Sequence, residues 1–158
     1  MSSTMIDIPR EEWQRALQAL PENVLAEVVS NFPKEWQVKP GILPQSGLGL
    51  LQLQESTKGD CYYLGEFPLS HCSVHVTTEQ GVCAHGAALV LDDRLQRAEQ
   101  MALCDAVLSA KLPGWEHVAE LIEQGELCRH QLAAERKAML ARTRVDFSLL
   151  DEVSDTDD

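Results

Sequence analysis

The sequence predicts an α+β fold, in which an antiparallel meander sheet of about four strands has an N-terminal αα-hairpin and C-terminal helices packed on it. Residues 48–91 alternate apolar and polar side chains in short runs, and turns containing Gly or Pro separate these runs. The flanking segments 10–30 and 93–142 instead repeat apolar residues every three or four positions, as amphipathic helices do.

Two helices are predicted before the sheet. The first begins near Pro9, because proline suits the first helical turn, where its missing N–H is not needed. Trp13, Leu17 and Leu20 then fall on a single apolar face. Pro21 breaks this helix, and a second, valine-rich helix follows it. Together the two helices form the predicted αα-hairpin.

The predicted strands follow one another along the chain. A short strand over 36–43 is interrupted by proline and glycine, which assigns it to an edge. The leucine-rich run 48–54 and the aromatic run 61–67 come next, on either side of a Gly59-Asp60 turn. The run 70–78 alternates again and leads into a final hairpin.

The register of that hairpin follows from its turn. Gln80-Gly81 predicts a two-residue turn, because glycine supplies the positive φ that such turns need. This turn pairs Val76 with His85 and Val74 with Ala87. His71 and His75 then lie on the opposite face from the following residues: Cys72, Val74, Val76, Cys83, His85, Ala87 and Leu89.

The C-terminal half is predicted to be helical. Asp92-Asp93 closes the sheet and offers a carboxylate as N-cap for a helix that ends near Ser109. A shorter helical segment covers 115–123, and Gly125 is a weak point after it. The segment 127–142 is rich in Ala, Glu, Arg and Lys and predicts a further helix.

Composition narrows the function classes. The 158 residues suit one domain, 1–150, followed by an acidic tail, 151–158, that is predicted to be disordered. The net charge of −12 argues against nucleic-acid binding, because the chain would repel phosphate. No apolar run reaches the roughly 18 residues of a membrane helix. The N-terminus lacks the pattern of a signal peptide. Five cysteines without a CxxC pair predict reduced, mostly buried thiols in a cytoplasmic protein.

The densest group of candidate metal ligands consists of His71, Cys72, His75, Cys83 and His85. A soft metal such as Zn²⁺ would accept this mixture of thiolate and imidazole. In the predicted register, His71 and His75 lie on one face of the sheet and the other three side chains lie on the opposite face. The spacing of the five residues along the chain matches no zinc-binding pattern. No metal site is therefore predicted, and buried thiols with a hydrogen-bonded core histidine are the favoured interpretation.

No catalytic residue is predicted either. A thiol could act as a nucleophile with histidine as its base, but no cysteine lies at an electropositive helix N-terminus. Glu66, Glu99 and Asp105 are acids within otherwise apolar elements, where paired carboxylates can do acid–base chemistry. Glu99 and Asp105 diverge around their helix, so solvated or capping carboxylates are favoured.

A basic segment precedes the acidic tail. Residues 127–145 hold five of the 13 basic groups and one acid. Arg129, Arg136 and Lys137 are candidate phosphate contacts, because guanidinium and ammonium groups form charge-assisted hydrogen bonds with phosphate. The same helix could dock on an acidic partner or could be a plain solvated face, and the sequence leaves all three readings open.

Several motifs occur in a defined order: Pro44-Gln45-Ser46-Gly47-Leu48, Tyr63-Leu64-Gly65-Glu66, Leu69-Ser70-His71-Cys72-Ser73-Val74, Ala102-Leu103-Cys104-Asp105-Ala106-Val107-Leu108 and Thr143-Arg144-Val145-Asp146-Phe147. Their order and spacing resemble the PhnG-type subunit of the bacterial phosphonate carbon–phosphorus lyase system, over about residues 10–150. No single motif is specific for this family, but their order, their spacing and the Arg-Val-Asp-Phe ending are specific in combination.

The resemblance implies an accessory role in a large enzyme. It implies a core complex of this subunit and three other kinds of subunit, with two copies of each. With an ATP-binding-cassette-like protein, the complex acts as an alpha-D-ribose 1-methylphosphonate 5-triphosphate synthase, in which a phosphonate displaces adenine from ATP. ATP is then a co-substrate of the complex, and this chain binds no cofactor. The main chemistry is expected on a nucleosidase-type subunit, and radical cleavage of the carbon–phosphorus bond on another.

Partner contacts are expected at Arg142, Arg144, Asp146 and Phe147, with the phenylalanine as a buried anchor. The chain departs from the family pattern at Asp92-Asp93-Arg94, where Gly-Arg-Asp is usual. It also has Arg97 in place of a usual His and Leu43 in place of a common Arg. The alternatives are a stand-alone binding or adaptor module without enzyme activity and, third, a metal-dependent hydrolase that uses the His/Cys group.

Overall fold

The computed structural model describes residues 7–142, which form four helices and three strands and confirm the α+β class. In chain order the elements are α1 (Arg10–Ala19), α2 (Glu22–Ser30), β1 (Gln37–Gln54), β2 (Cys61–Thr77), β3 (Cys83–Val90), α3 (Leu95–Ser109) and α4 (Trp115–Arg142). No helix in the described range is long and apolar enough to span a membrane. The predicted boundary between residues 150 and 151 lies outside this range.

The described residues form three antiparallel strands in the order β1-β2-β3, so a fourth strand is not confirmed. The predicted strands 36–43 and 48–54 are one strand, because irregularities between Pro40 and Gln45 absorb the prolines without ending the pairing with β2. The runs 61–67 and 70–78 are likewise one strand. Pro68 pairs with Leu48 and lies beyond the end of β3, so its missing N–H interrupts no ladder on that side.

The predicted register of the β2–β3 hairpin is wrong by one residue. The connection is a five-residue loop over 78–82, not a two-residue turn, because Thr78 closes it from both directions. Its N–H donates to the Val82 carbonyl at 2.9 Å, and its Oγ1 accepts the Val82 N–H at 3.1 Å. His75 therefore pairs with His85, and Val76 pairs with Ala84. A one-residue shift moves every side chain of β3 to the other face of the sheet.

The inner face of the sheet packs against α3. Ser70, Cys72, Val74 and Val76 of β2 are buried there, together with the even-numbered residues of β3. Gly86 of β3 allows this close packing, because a Cβ atom at Gly86 would lie 2.9 Å from the Ala106 Cβ of α3 and closer still to the α3 backbone. Strand and helix are therefore in backbone contact.

The two N-terminal helices are broken at Pro21 as predicted, and Leu17 and Leu25 are fully buried. The αα-hairpin itself is not confirmed, because α1 packs mainly on α4 whereas α2 packs on α3. The helix α4 continues through Gly125, where a break was predicted. Gly125 faces the backbone of Ala16 in α1, so the glycine serves a helix crossing and not a helix end.

The beginning of α3 also differs from the prediction. Arg94 occupies its N-cap position and makes no side-chain capping bond. Asp92 accepts the backbone N–H of Arg94 and also pairs with its guanidinium, so the aspartate closes a turn ahead of the helix. This hydrogen bonding with Arg94 lowers the pKa of Asp92.

Candidate partner-binding surface

Part of the sheet extends past the core as a two-stranded arm, made of residues 45–54 of β1 and 61–69 of β2. Because β3 ends at Val90, which pairs with Ser70, no third strand supports the arm beyond Gln45 and Ser46, whose partners in β2 still pair with β3. The arm exposes large apolar side chains on the surface, namely Leu48, Leu50, Leu51, Tyr62, Tyr63 and Leu64. An isolated two-stranded ribbon is marginally stable in water, and a contiguous apolar patch marks an interaction site.

The arm is almost uncharged. Residues 45–54 carry no ionisable side chain and residues 61–69 carry one carboxylate, Glu66, together with Cys61 and two tyrosines. A groove of about 520 Å³ lies beside it and is lined by Leu51, Leu64, Gly65, Glu66, Phe67 and Leu91. The ring of Phe67 covers Gly49, where a Cβ atom would lie 2.8 Å from the ring. The surface is suited to an apolar partner and not to a solvated ion.

The two edges of the sheet differ. The outer edge of β3 is sealed by side chains: Ala87 N donates to Asp105 Oδ2, and Leu89 N donates to Gln14 Oε1, each at 3.0 Å. Arg10 holds Asp105 through Nε–Oδ1 and Nη2–Oδ2 bonds of 3.0 and 2.8 Å. The outer edge of β1 has no strand beside it within the described residues.

Asp105 was predicted to be a solvated or capping acid. It is instead buried, and it links α3, α1 and the edge of β3. Sequence reasoning missed this structural role. The available signal was an acid within the apolar run of a helix.

The candidate phosphate contacts lie on the exposed part of α4, residues 127–142. Arg129 is engaged by Glu126 through Nε–Oε2 and Nη2–Oε1 bonds of 2.9 and 2.6 Å. These bonds raise the pKa of Arg129 and lower that of Glu126. Arg136 and Lys137 are exposed.

The same part of α4 exposes Leu127, Leu132 and Met139. Among the predicted partner contacts, Arg142 is exposed at the end of the helix. Arg144, Asp146 and Phe147 lie outside the described residues.

The histidines of the hairpin meet on the outer face of the sheet. The predicted register placed His75 and His85 on opposite faces, but their rings lie 4.8 Å apart between centroids. Cys83 is also exposed there, whereas Cys72 points into the core. Across residues 7–142, no three His, Cys, Asp or Glu side chains are grouped so that they could hold a metal ion.

Two thiols, Cys72 and Cys104, have raised pKa values because they are buried. Burial raises the pKa of Cys72 to about 11, and the nearby charge of Glu99 adds to the effect. Burial likewise raises the pKa of Cys104 to about 12, with a contribution from Asp105. Both stay protonated near neutral pH and are poor nucleophiles. Cys61 and Cys83 are exposed, which corrects the expectation of mostly buried thiols.

Three of the positions that depart from the expected family pattern, Asp92, Arg94 and Arg97, form contacts within the chain, whereas Leu43 is exposed. Arg97 is buried, and its Nη2 donates to the carbonyls of Gln18 and Leu20 at 2.7 and 2.8 Å, so it closes the C-terminal end of α1. Arg94 binds Asp92 and reaches Glu22 at 3.0 Å. Sequence reasoning missed the capping role of Arg97, although a basic residue within an apolar helix stripe was its signal.

Comparison with models of protein families assigns the chain to a family. The family model described as Phosphonate metabolism protein PhnG matches residues 8–151. The chain belongs to the PhnG family. The match spans all seven helices and strands, and it confirms the resemblance that the sequence motifs indicated. A search of curated proteins finds no match. Membership of the PhnG family places the chain in phosphonate metabolism.

Proposed function

We propose that this PhnG-family chain is an accessory subunit of the carbon–phosphorus lyase core complex. In this role it is needed when the complex transfers a ribose 5-triphosphate moiety from ATP to a phosphonate and displaces adenine. The complex is a cytoplasmic hetero-oligomer with two copies of each subunit, and ATP is its co-substrate. The chain itself binds no cofactor, and the main chemistry takes place on a partner subunit. The family membership supports the pathway.

The exposed arm is the observation that supports a subunit role. Leu48 and Leu64 are 69% and 64% exposed, and Leu50 and Leu51 are also on the surface. Full burial of a completely exposed side chain of this size stabilises by about 1.5–3 kcal/mol. The four leucines are 42–69% exposed, so covering them gains roughly 4–7 kcal/mol before the costs of association. A partner that covers the arm therefore supplies much of the free energy of a stable interface.

Two other regions complete the proposed contact. Arg142, Arg144, Asp146 and Phe147 bind a neighbouring subunit, with the Phe147 ring as a buried anchor. Phosphate contact falls to Arg136 and Lys137 more than to Arg129, because Glu126 already occupies two N–H groups of the Arg129 guanidinium.

Co-purification tests this proposal. The tagged chain is expressed alone and with the other subunits of the complex, and the mass in solution is measured in each case. We expect a large assembly that releases adenine from ATP when a phosphonate and the ATP-binding-cassette-like protein are present. A well-folded small species that ignores the other subunits would instead favour the stand-alone binding module.

Replacing the proposed anchor makes the test specific. Phe147→Ala should weaken assembly by roughly ten-fold or more, because a buried aromatic anchor carries a large share of binding energy. Ser148→Ala is the matched control, since it changes the next residue without removing an apolar side chain. Unchanged affinity of the Phe147→Ala variant would show that the anchor is placed wrongly.

A further inference from the structure

We propose that the outer edge of β1, over residues 45–51, receives an extended strand from a different subunit, so that the three-stranded sheet becomes four-stranded in the assembly. This inference rests on the proposed subunit function and names the surface and the mode of contact. Strand addition to an exposed edge uses main-chain hydrogen bonds for affinity and alternate side chains for specificity.

The hydrogen bonds at the edge of β3 show which backbone N–H groups of β2 point towards β3 and which point towards β1. Ala87 and Leu89 donate their N–H groups to side chains outside the sheet, so the alternate residues of β3 are the ones that bond to β2. Gly86 pairs with Val74 in this way. The N–H of Val74 therefore points towards β3, and the N–H of His71, three residues away, points towards β1.

The same alternation continues along the arm. His71 pairs with Gln45, and the register then runs without a shift as far as Leu51. Gln45 and every second residue after it bond to β2, whereas the residues between them turn their N–H and C=O groups outward. Ser46, Leu48 and Leu50 therefore present unpaired donors and acceptors along one open edge.

This edge lacks the devices that protect the rest of the sheet. Proteins commonly guard an edge strand with charge, proline, a bulge or covering side chains. The edge of β3 has covering side chains from Gln14 and Asp105. Residues 45–51 of β1 have no charge, no proline and no shift of register. An unguarded, leucine-rich edge is the template that an incoming strand requires.

The net charge of the chain favours a segment of a different subunit, and not a second copy of this chain, as the strand that binds to this edge. A second copy would bring another net charge of −12, and such like-charged molecules repel at long range. A neutral or basic polypeptide meets no such repulsion. Leu48 and Leu50 lie on one face of the arm, so the incoming strand needs apolar residues at alternate positions on that face. The occupant is thus an extended, apolar segment of a different, neutral or basic subunit.

A proline substitution tests the edge directly. Leu50→Pro removes one outward N–H and places a ring in the path of an incoming strand, while the inward hydrogen bonds of β1 remain. The strand already accommodates Pro40 and Pro44. We expect the affinity of Leu50→Pro for the other subunits to fall by about ten-fold or more. Leu50→Ala removes the same apolar side chain but keeps the N–H, so it is the matched control, and Leu50→Pro should bind the other subunits more weakly than Leu50→Ala does.

Hydrogen exchange on the wild-type chain gives a second measurement that needs no variant. In the assembly, the amides of Ser46, Leu48 and Leu50 should become protected, because they gain partners that they lack in the isolated chain. Normal circular dichroism of Leu50→Pro establishes that the variant folds. If it does not fold, the exchange of the wild-type amides decides the question.

The outcomes separate this inference from the subunit proposal. Assembly of the wild type together with undiminished assembly of Leu50→Pro would refute the edge contact and leave the subunit role intact. Failure of the wild type to assemble would refute both. Protection of the three amides in the isolated chain, growing with its concentration, would identify a second copy as the occupant and overturn the inference.

Discussion

Replacing Gly125 by alanine sets two physical effects against each other. Alanine is the better helix former, by about 1 kcal/mol per residue in a helix interior, so helix propensity alone predicts a more stable protein. The crossing of α1 and α4 predicts the opposite. A Cβ atom at Gly125 would lie 2.6 Å from the carbonyl carbon of Ala16 and closer still to its oxygen.

The size of the steric effect follows from that geometry. Ordinary contacts of a Cβ atom begin at 3.4 Å, so the two helices must separate by at least 3.4 − 2.6 = 0.8 Å to relieve the clash with the carbon atom alone. The atoms to be moved are backbone atoms, which cannot change rotamer. Overpacking of a core costs about 1–3 kcal/mol, and this contact belongs at the upper end of that range. After the gain in propensity, we expect a net loss of about 2 kcal/mol.

Thermal unfolding followed by circular dichroism measures this effect. For a chain of this length a loss of about 2 kcal/mol lowers Tm by roughly 4–8 °C. Ala133→Gly in the exposed part of α4 is the matched control, because it changes propensity without touching a crossing, and it should cost about 1 kcal/mol. An unchanged or raised Tm for Gly125→Ala would refute the close helix crossing.

Two further predictions concern the Asp105 network and the thiols. Asp105→Ala should lower the free energy of unfolding by about 2 kcal/mol in urea titrations, because it leaves the Ala87 N–H without its partner. Glu12→Ala removes the partly exposed ion pairs of Glu12 with Arg15 and Arg129 and should change the free energy of unfolding by less than about 1 kcal/mol. Equal effects of the two substitutions would contradict the buried role of Asp105. At pH 8, mass spectrometry after alkylation should find Cys61 and Cys83 modified first, and the two buried thiols only after unfolding, since their pKa values of about 11 and 12 keep them protonated. Rapid modification of a buried thiol in the folded chain would count against that packing.

The site was only partly visible in the sequence. The leucine-rich run 48–54 was predicted only as a strand, and the basic helix was the segment whose composition suggested a contact surface. The sequence does not predict that this run belongs to an unsupported arm, because that depends on where β3 ends relative to β2. The pairing of His75 with His85 could not be predicted either, because it follows from a loop that Thr78 closes through its side chain.

Local patterns were sufficient for the elements and for the family. Apolar spacing located the helices α1, α2 and α3 to within about two residues, because helix formation depends on neighbours three and four positions apart. Short motifs in a fixed order indicated the PhnG family, which the family match confirms. These features are written in contiguous residues, so no tertiary contact is needed to find them.

Contacts between distant residues decided the rest. Three features depend on groups that lie far away in sequence: the register of β3, the continuity of α4 through Gly125 and the burial of Asp105. A period-2 pattern fits two registers that differ by one residue, and a glycine in a helix fits either a break or a close crossing. Only the folded arrangement distinguishes these alternatives, because the energy that separates them comes from packing between elements and not from local preference.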